Sequence, residues 1–185
     1  LCFALIALAI VAVVVANSIR IMPEYQRLVI FRLGRSRGTH GPGVVLLWPF
    51  IDTGVIVDLR EQVREVPHQT SITKDNAPIS IDFLWYYKVV DGEQSIIQVG
   101  NFEMAAAGIA TTTLRSVIGG IALDEVLSQR EHINQTLRVK LDEITERWGV
   151  KVTNVEIREI IPPRDVQDAM NQQLAAERTR RALVT

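Results

Sequence analysis

Hydrolytic chemistry needs a nucleophile beside a base, or acidic groups converging on one bond. The acids that could serve are Asp75, Asp82, Asp124 and Glu131, and the hydroxyls that could serve are those of Thr111, Thr112 and Thr113. Asp75 falls in the turn-forming stretch TKDNAP, Asp82 in an alternating strand, and Asp124 and Glu131 in helical sequence. Each reads as a turn, strand-face or helix-surface residue. Helical threonines commonly bond back to the preceding turn, and a catalytic threonine needs a processed N-terminus or an adjacent base. No GxSxG nucleophile elbow occurs. His40, His68 and His132 are scattered without an HExxH, and Cys2 is the single cysteine. No intrachain disulfide or thiolate zinc cluster can therefore form. Gly38, Gly41 and Gly43 in GRSRGTHGPG follow neither GxGxxG nor Walker spacing, so they read as turns and not as a phosphate cradle. Neither a cofactor, a metal nor catalysis is expected. A membrane-bound hydrolase would have to act through a residue such as Asp75 or Thr112.

Composition sets the frame in which these residues must be held. The 185 residues, 20.7 kDa, suffice for one ordinary domain or two small ones. Lys plus Arg number 20 against 21 Asp plus Glu, a net charge of -1, which gives no basic footprint for nucleic acid. With 48% hydrophobic and 22% charged residues the chain is a folding one. Its mean hydropathy is positive, +0.16, and much of the excess lies at one end.

Leu1 to Ala16 is an unbroken apolar run that resumes at Ile19 before Arg20 and closes at Pro23. As a helix it reaches roughly 24 Å, a little short of the ~30 Å hydrocarbon core. No Met opens the sequence, so residue 1 is expected to sit inside a longer natural chain. The Leu, Ile, Phe and Val residues of the run favour insertion by roughly 3 to 6 kcal/mol. A cleaved signal peptide, with Val14, Val15 and Ala16 before Asn17, and a re-entrant hairpin compete with a straight span. The absence of a central Pro or Gly favours the span. Leu5, Leu8, Val11 and Val15 would then face lipid. Between residues 20 and 40, Arg20, Arg27, Arg32, Arg35 and Arg37 outweigh Glu24, and the positive-inside rule puts this flank on the cytoplasmic side.

Glu24 to Leu33 is strand-like. Val44 to Ile51, VVLLWPFI, is too short to span and is broken by Pro49. It is either a buried connection or a dip into the bilayer interface through Leu46, Leu47, Trp48 and Phe50. Strands are expected over Val55 to Arg60 and Gln62 to Pro67. From Ile79 to Val89 a strict alternation marks a strand with one apolar face. Character changes after Asp91 and Gly92. A helix is expected over Glu103 to Ile118 with Asn101 as N-cap. A second runs from about Leu123 to Trp148, with the stripe Ile133, Leu137, Leu141, Ile144 and Trp148. Val150 to Ile161 returns to strand, halted by Pro162 and Pro163. From Arg164 a charged helix carries a thin stripe of Val166, Met170 and Leu174, followed on the same face by Glu177 and Arg181. Such a helix is marginal alone. It either packs beside like helices or docks on its own domain.

Four ordered blocks, GPGVVLLWPFIDTGVIVDLRE, TKDNAPISIDFLWYYKV, TTTLRSVIGGIALDEVLSQREHIN and WGVKVTNVEIREIIPPRDVQDAM followed by LAAERTRRA, resemble the stomatin and slipin branch of the SPFH superfamily. Leu84, Trp85 and Ala77 depart from the usual pattern and bear on the subfamily. The resemblance implies an α+β chain with an antiparallel sheet plus helices. It would comprise a membrane anchor over 1–22, two successive SPFH or band 7 subdomains over 23–90 and 91–162, and the start of a long coiled coil over 163–185. It further implies a homo-oligomer, a large ring or cage that encloses a lipid microdomain in the cell membrane. NfeD-family membrane proteins, membrane proteases or channels would be its partners. A one-to-one regulator of a membrane protease or channel is the competing implication.

Overall fold

The computed structural model describes residues 16–169, 171–172 and 175–176. In chain order the elements are β1 (Ile19–Met22), β2 (Gln26–Arg32), β3 (Arg35–His40), β4 (Gly43–Leu46), β5 (Asp52–Asp58), β6 (Gln62–Ile72) and β7 (Pro78–Val89). There follow α1 (Gly92–Ile97), α2 (Phe102–Gly119), α3 (Leu123–Ser128), α4 (Arg130–Thr145), a 3-10 turn Glu146–Trp148 and β8 (Val150–Ile161). The α+β core is the one expected. It divides into two compact units, each discontinuous in sequence.

The first unit draws on the chain up to Gln62 and on Tyr87–Ala105 and Asp142–Lys151. It holds an antiparallel pair, β1 with β4, and an antiparallel sheet of order β3-β2-β5. Met22, Leu28, Ile30 and Val45 form its buried cluster, with Leu47 packed against it. The Asp91 carboxylate caps α1 by accepting the Glu93 and Gln94 N–H groups at 3.0 and 3.1 Å. Gly149, at φ +67°, sits where a Cβ would lie 2.6 Å from the Asp91 carbonyl oxygen, so a side chain is excluded twice over.

The second unit comprises Val63–Tyr86, Ala106–Leu141 and the chain from Val152. Within it the alternation of β7 buries Ile79, Ile81, Phe83 and Trp85 on one face. Ala106, Ala110, Leu114 and Ile118 of α2 and Ile133, Leu137 and Leu141 of α4 are the fully buried helical stripes. On the opposite face of β7 the buried Asp82 carboxylate accepts from Arg158 of β8, Nε at 2.7 Å, and Arg158 also pairs with Glu65 of β6 at 2.8 Å.

Several expectations are corrected. The membrane helix over 1–22 is overturned where the chain is described: Ile19–Met22 is strand, and among the described residues no helix is long and apolar enough to cross a membrane. The physical reason is alternation. Arg20 points away from Ile19 and Ile21, and the apolar strand β4 supplies the hydrogen-bond partners that a helix would have found within itself. Leu5, Leu8, Val11 and Val15 lie outside the described residues. Anchoring in the cell membrane by that segment, with a cytoplasmic globular part, and the function as a membrane-anchored ring around a microdomain both needed such a helix, and the described residues hold none. Among the described residues no long C-terminal coiled coil is found either. After Pro163 the described helical residues are 164–169, 171–172 and 175–176.

The glycine-rich stretch, expected to be turns, contains β3. Leu33 and Gly34, both at positive φ, close a two-residue hairpin between the paired Arg32 and Arg35. The single helix expected from Leu123 to Trp148 is broken at Gln129. There the Ser128 hydroxyl donates to the Asp124 carbonyl at 2.7 Å and competes with helical continuation.

Candidate contact surface

β2 ends at Arg32 and β5 begins at Asp52, and the sheet register sets these two residues opposite one another. Arg32 donates through Nε to Asp52 Oδ1 at 2.7 Å and through Nη2 to Oδ2 at 2.8 Å, the bidentate geometry that suits a guanidinium. The Asp52 side chain has no solvent exposure. Its Oδ2 also accepts the Trp48 N–H at 2.9 Å. The Arg32 hydrogen bonds and the Trp48 N–H hold the Asp52 carboxyl at about 2, with the charges of Arg32 and Arg37 acting in the same direction against desolvation.

The turn between β4 and β5 is closed by its own backbone. Asp52 and Ile51 donate to the Trp48 carbonyl at 3.0 and 3.3 Å, and Leu33 donates to the Ile51 carbonyl at 3.2 Å. Two turns are thus laced side by side. What they carry is apolar and uncovered: Phe50 is 98% exposed, Leu33 82% and Trp48 59%. Leu33 at φ +49° and Phe50 at φ +75° occupy the left-handed region without being glycine.

Beside this tip the β1 and β4 ladder pairs Ile19 with Leu46 and Ile21 with Val44, and all four are exposed, forming one apolar face. A cavity of about 410 Å³ is lined by Arg32, Arg37, His40, Val44 and Leu46, so cationic and apolar groups border the same space. Of the contact residues expected from sequence, the fold groups Leu46, Trp48 and Phe50 on the exposed end, while Leu47 turns toward the Met22, Leu28, Ile30 and Val45 cluster. Val166 is half-buried in the helical residues after Pro163. Met170, Leu174, Glu177 and Arg181 lie outside those whose side chains are described.

The residues weighed for catalysis do not converge. Asp75 accepts from the Thr73 hydroxyl at 2.5 Å and from the Leu123 N–H at 3.1 Å, and these bonds lower its carboxyl below the usual range. Asp82 is committed to Arg158, and Asp124 and Glu131 are exposed in the first turns of α3 and α4. Thr111 and Thr112 donate to the carbonyls of Ala107 and Gly108 at 2.9 and 3.0 Å. Among the described residues no three His, Cys, Asp or Glu side chains are grouped so as to hold a metal ion.

Sequence reasoning missed the Arg32 and Asp52 pair. The two are twenty positions apart, and only strand register brings them together. Their charge inside apolar strand ends was the available signal.

The SPFH domain / Band 7 family matches residues 20–185 of the chain. A stomatin homolog of Pyrococcus horikoshii is 48% identical over 180 residues, 97% of this chain and 68% of its own length. A stomatin homolog of Pyrococcus abyssi is likewise 48% identical over 180 residues, covering 97% of this chain and 67% of its own. An uncharacterized protein of Methanocaldococcus jannaschii is 45% identical over 171 residues, 92% of this chain and 86% of its own.

Proposed function

The chain belongs to the SPFH domain / Band 7 family, and on that premise we propose that it is a stomatin-type scaffold working as a homo-oligomer. It is not an enzyme; stomatin-type members of this family act without catalysis. The observation that carries the reading is the family match over nearly the whole chain, together with two stomatin homologs at 48% identity. Its work is to hold copies, and what they bind, in fixed relation. A weak contact repeated around a closed assembly becomes collectively strong through effective concentration. We assign the copy-to-copy contact to the helix after Pro163, through Val166, Met170 and Leu174 with Glu177 and Arg181. The exposed end formed by Leu46, Trp48 and Phe50 is assigned to contact with lipid. NfeD-family membrane proteins and a membrane protease or channel are the clients of this reading.

The test is the native mass of the full chain by light scattering. A species many times the 20.7 kDa monomer is expected. A monomer at micromolar concentration, crosslinking only to a partner and never to itself through residues 164–185, would replace the scaffold by a one-to-one regulator.

A further inference from the structure

We propose that Arg32 and Asp52 are positioning residues that fasten two turns into one rigid apolar tip, and that this fastened tip is what the chain sets against an anionic lipid surface. The inference rests on the lipid contact assigned above and names the residues that make it possible.

The hydrogen bonds of the pair lead outward to the turn. The Asp52 side chain has no solvent exposure, so its bonds could have been used to tie the core together. Instead its spare acceptor goes to the Trp48 N–H, at the root of a turn. The Leu33 N–H, on the residue next to Arg32, goes to the Ile51 carbonyl of that same turn. The side chains held this way are Leu33, Trp48, Phe50 and Ile51, all exposed. Desolvating the Asp52 side chain has a cost that its bonds to the partly exposed Arg32 and to the Trp48 N–H offset, and those bonds order a segment whose own large side chains are exposed. The backbone agrees. Leu33 and Phe50 are kept at positive φ, where residues with a Cβ stay only when their surroundings over-determine them. Relaxed, either turn could fold its large apolar side chain back toward the sheet. Fastened, both project.

Trp and Phe projecting together from a turn suit the headgroup level of a bilayer, where an aromatic body enters the apolar layer. Arg35, next to the Leu33 and Gly34 turn, and Arg37 are exposed, and Arg37 and His40 share a cavity with Val44 and Leu46. Cations next to apolar side chains match the two layers of an anionic lipid surface, phosphate outside and hydrocarbon inside.

The test uses the full chain with vesicles of phosphatidylcholine and phosphatidylglycerol, and hydrogen exchange read by mass spectrometry. Arg32 bonds none of the amides of Trp48 to Ile51. Arg32→Ala is nevertheless expected to speed their exchange about tenfold while exchange in β7 and α4 stays unchanged. Arg32→Lys recovers part of the protection.

On vesicles, both Arg32→Ala and Asp52→Ala are expected to reduce partitioning about tenfold, as Phe50→Ser does. Asp52→Ala is the decisive variant. It makes the chain more positive, so charge alone predicts tighter binding to anionic lipid, whereas loss of positioning predicts weaker binding. In a Trp48→Ser, Phe50→Ser background neither variant should reduce partitioning further.

The fastening is overturned if Trp48 to Ile51 exchange is unchanged in Arg32→Ala, or if Asp52→Ala binds these vesicles as tightly as the wild type. A wild-type chain that ignores the vesicles overturns the lipid contact, and the exchange measurement then decides the fastening by itself.

Discussion

Asp52 makes its own pH prediction. Its carboxyl is held at about 2, first by the Arg32 hydrogen bonds and next by the Trp48 N–H, with Arg37 as the further charge that favours ionisation. A carboxylate depressed on folding contributes stability that is fully present above its unfolded value, near 3.9, and is lost as pH falls through the folded value. The turn amides of Trp48 to Ile51 should therefore stay protected at pH 4 and open as the pH approaches 2, which exchange measured across that range would show. Phe50 makes the opposite kind of prediction. Its side chain is solvent-exposed and its backbone is left-handed, so Phe50→Gly removes no packing and relieves strain of about 1 kcal/mol. Chemical denaturation should find that variant as stable as the wild type or slightly more so, with its vesicle binding reduced. A drop of several kcal/mol would mean that Phe50 is buried against something in the native assembly. Gly149 is the counter-case. Gly149→Ala drives a Cβ against the Asp91 carbonyl and should cost about 3 kcal/mol.

Elements whose burial follows one period were legible from sequence. β7 announces itself by alternation, α2 by an Ala-rich helical run closed by Gly119 and Gly120, α4 by apolar residues three or four apart, and β8 by the run that Pro162 and Pro163 close. Elsewhere a local signal is overruled by a partner distant in sequence. Ile19 to Met22 looked like the end of an apolar helix because hydropathy does not reveal that β4 would pair with it. β3 was hidden because its hairpin uses Leu33 in the left-handed region, where Asn is the usual sign. Asp82, taken from sequence as a strand-face residue, proved to be buried and paired.

That pair can be tested as a property of the β6-β7-β8 sheet. Arg158→Met strands a buried carboxylate and should destabilise the chain by about 3 kcal/mol. Pairing it with Asp82→Leu should recover most of the loss, because an apolar pair of similar volume needs no hydration. If the double variant is no better than the single one, Arg158 acts through Glu65 and the sheet edge and not through Asp82. In the same unit Leu137→Ala should cost between about 2 and 5 kcal/mol, since Leu137 is fully buried in the α4 stripe.

For the whole molecule the question is what supports the helix that begins after Pro163. Its described portion is exposed at Arg164, Asp165, Asp168 and Ala169 and half-buried at Val166 and Gln167. Near its start the Gln167 side chain donates to the Pro162 carbonyl at 2.9 Å. A helix with so narrow an apolar stripe gains little from its own propensity, so the copy-to-copy contact proposed for it predicts that neighbouring copies supply its order. Assembly and helix formation would then be one linked equilibrium, and mass action makes that visible. Far-UV helicity and native mass should rise together as the full chain is concentrated. Val166→Asp should shift both curves to higher concentration by about tenfold or more, equivalent to about 1.4 kcal/mol per contact, while leaving the melting of the two folded units unchanged. If helicity is independent of concentration while the mass still rises, the copies meet elsewhere on the molecule, and the exposed β1 and β4 face becomes the surface to substitute.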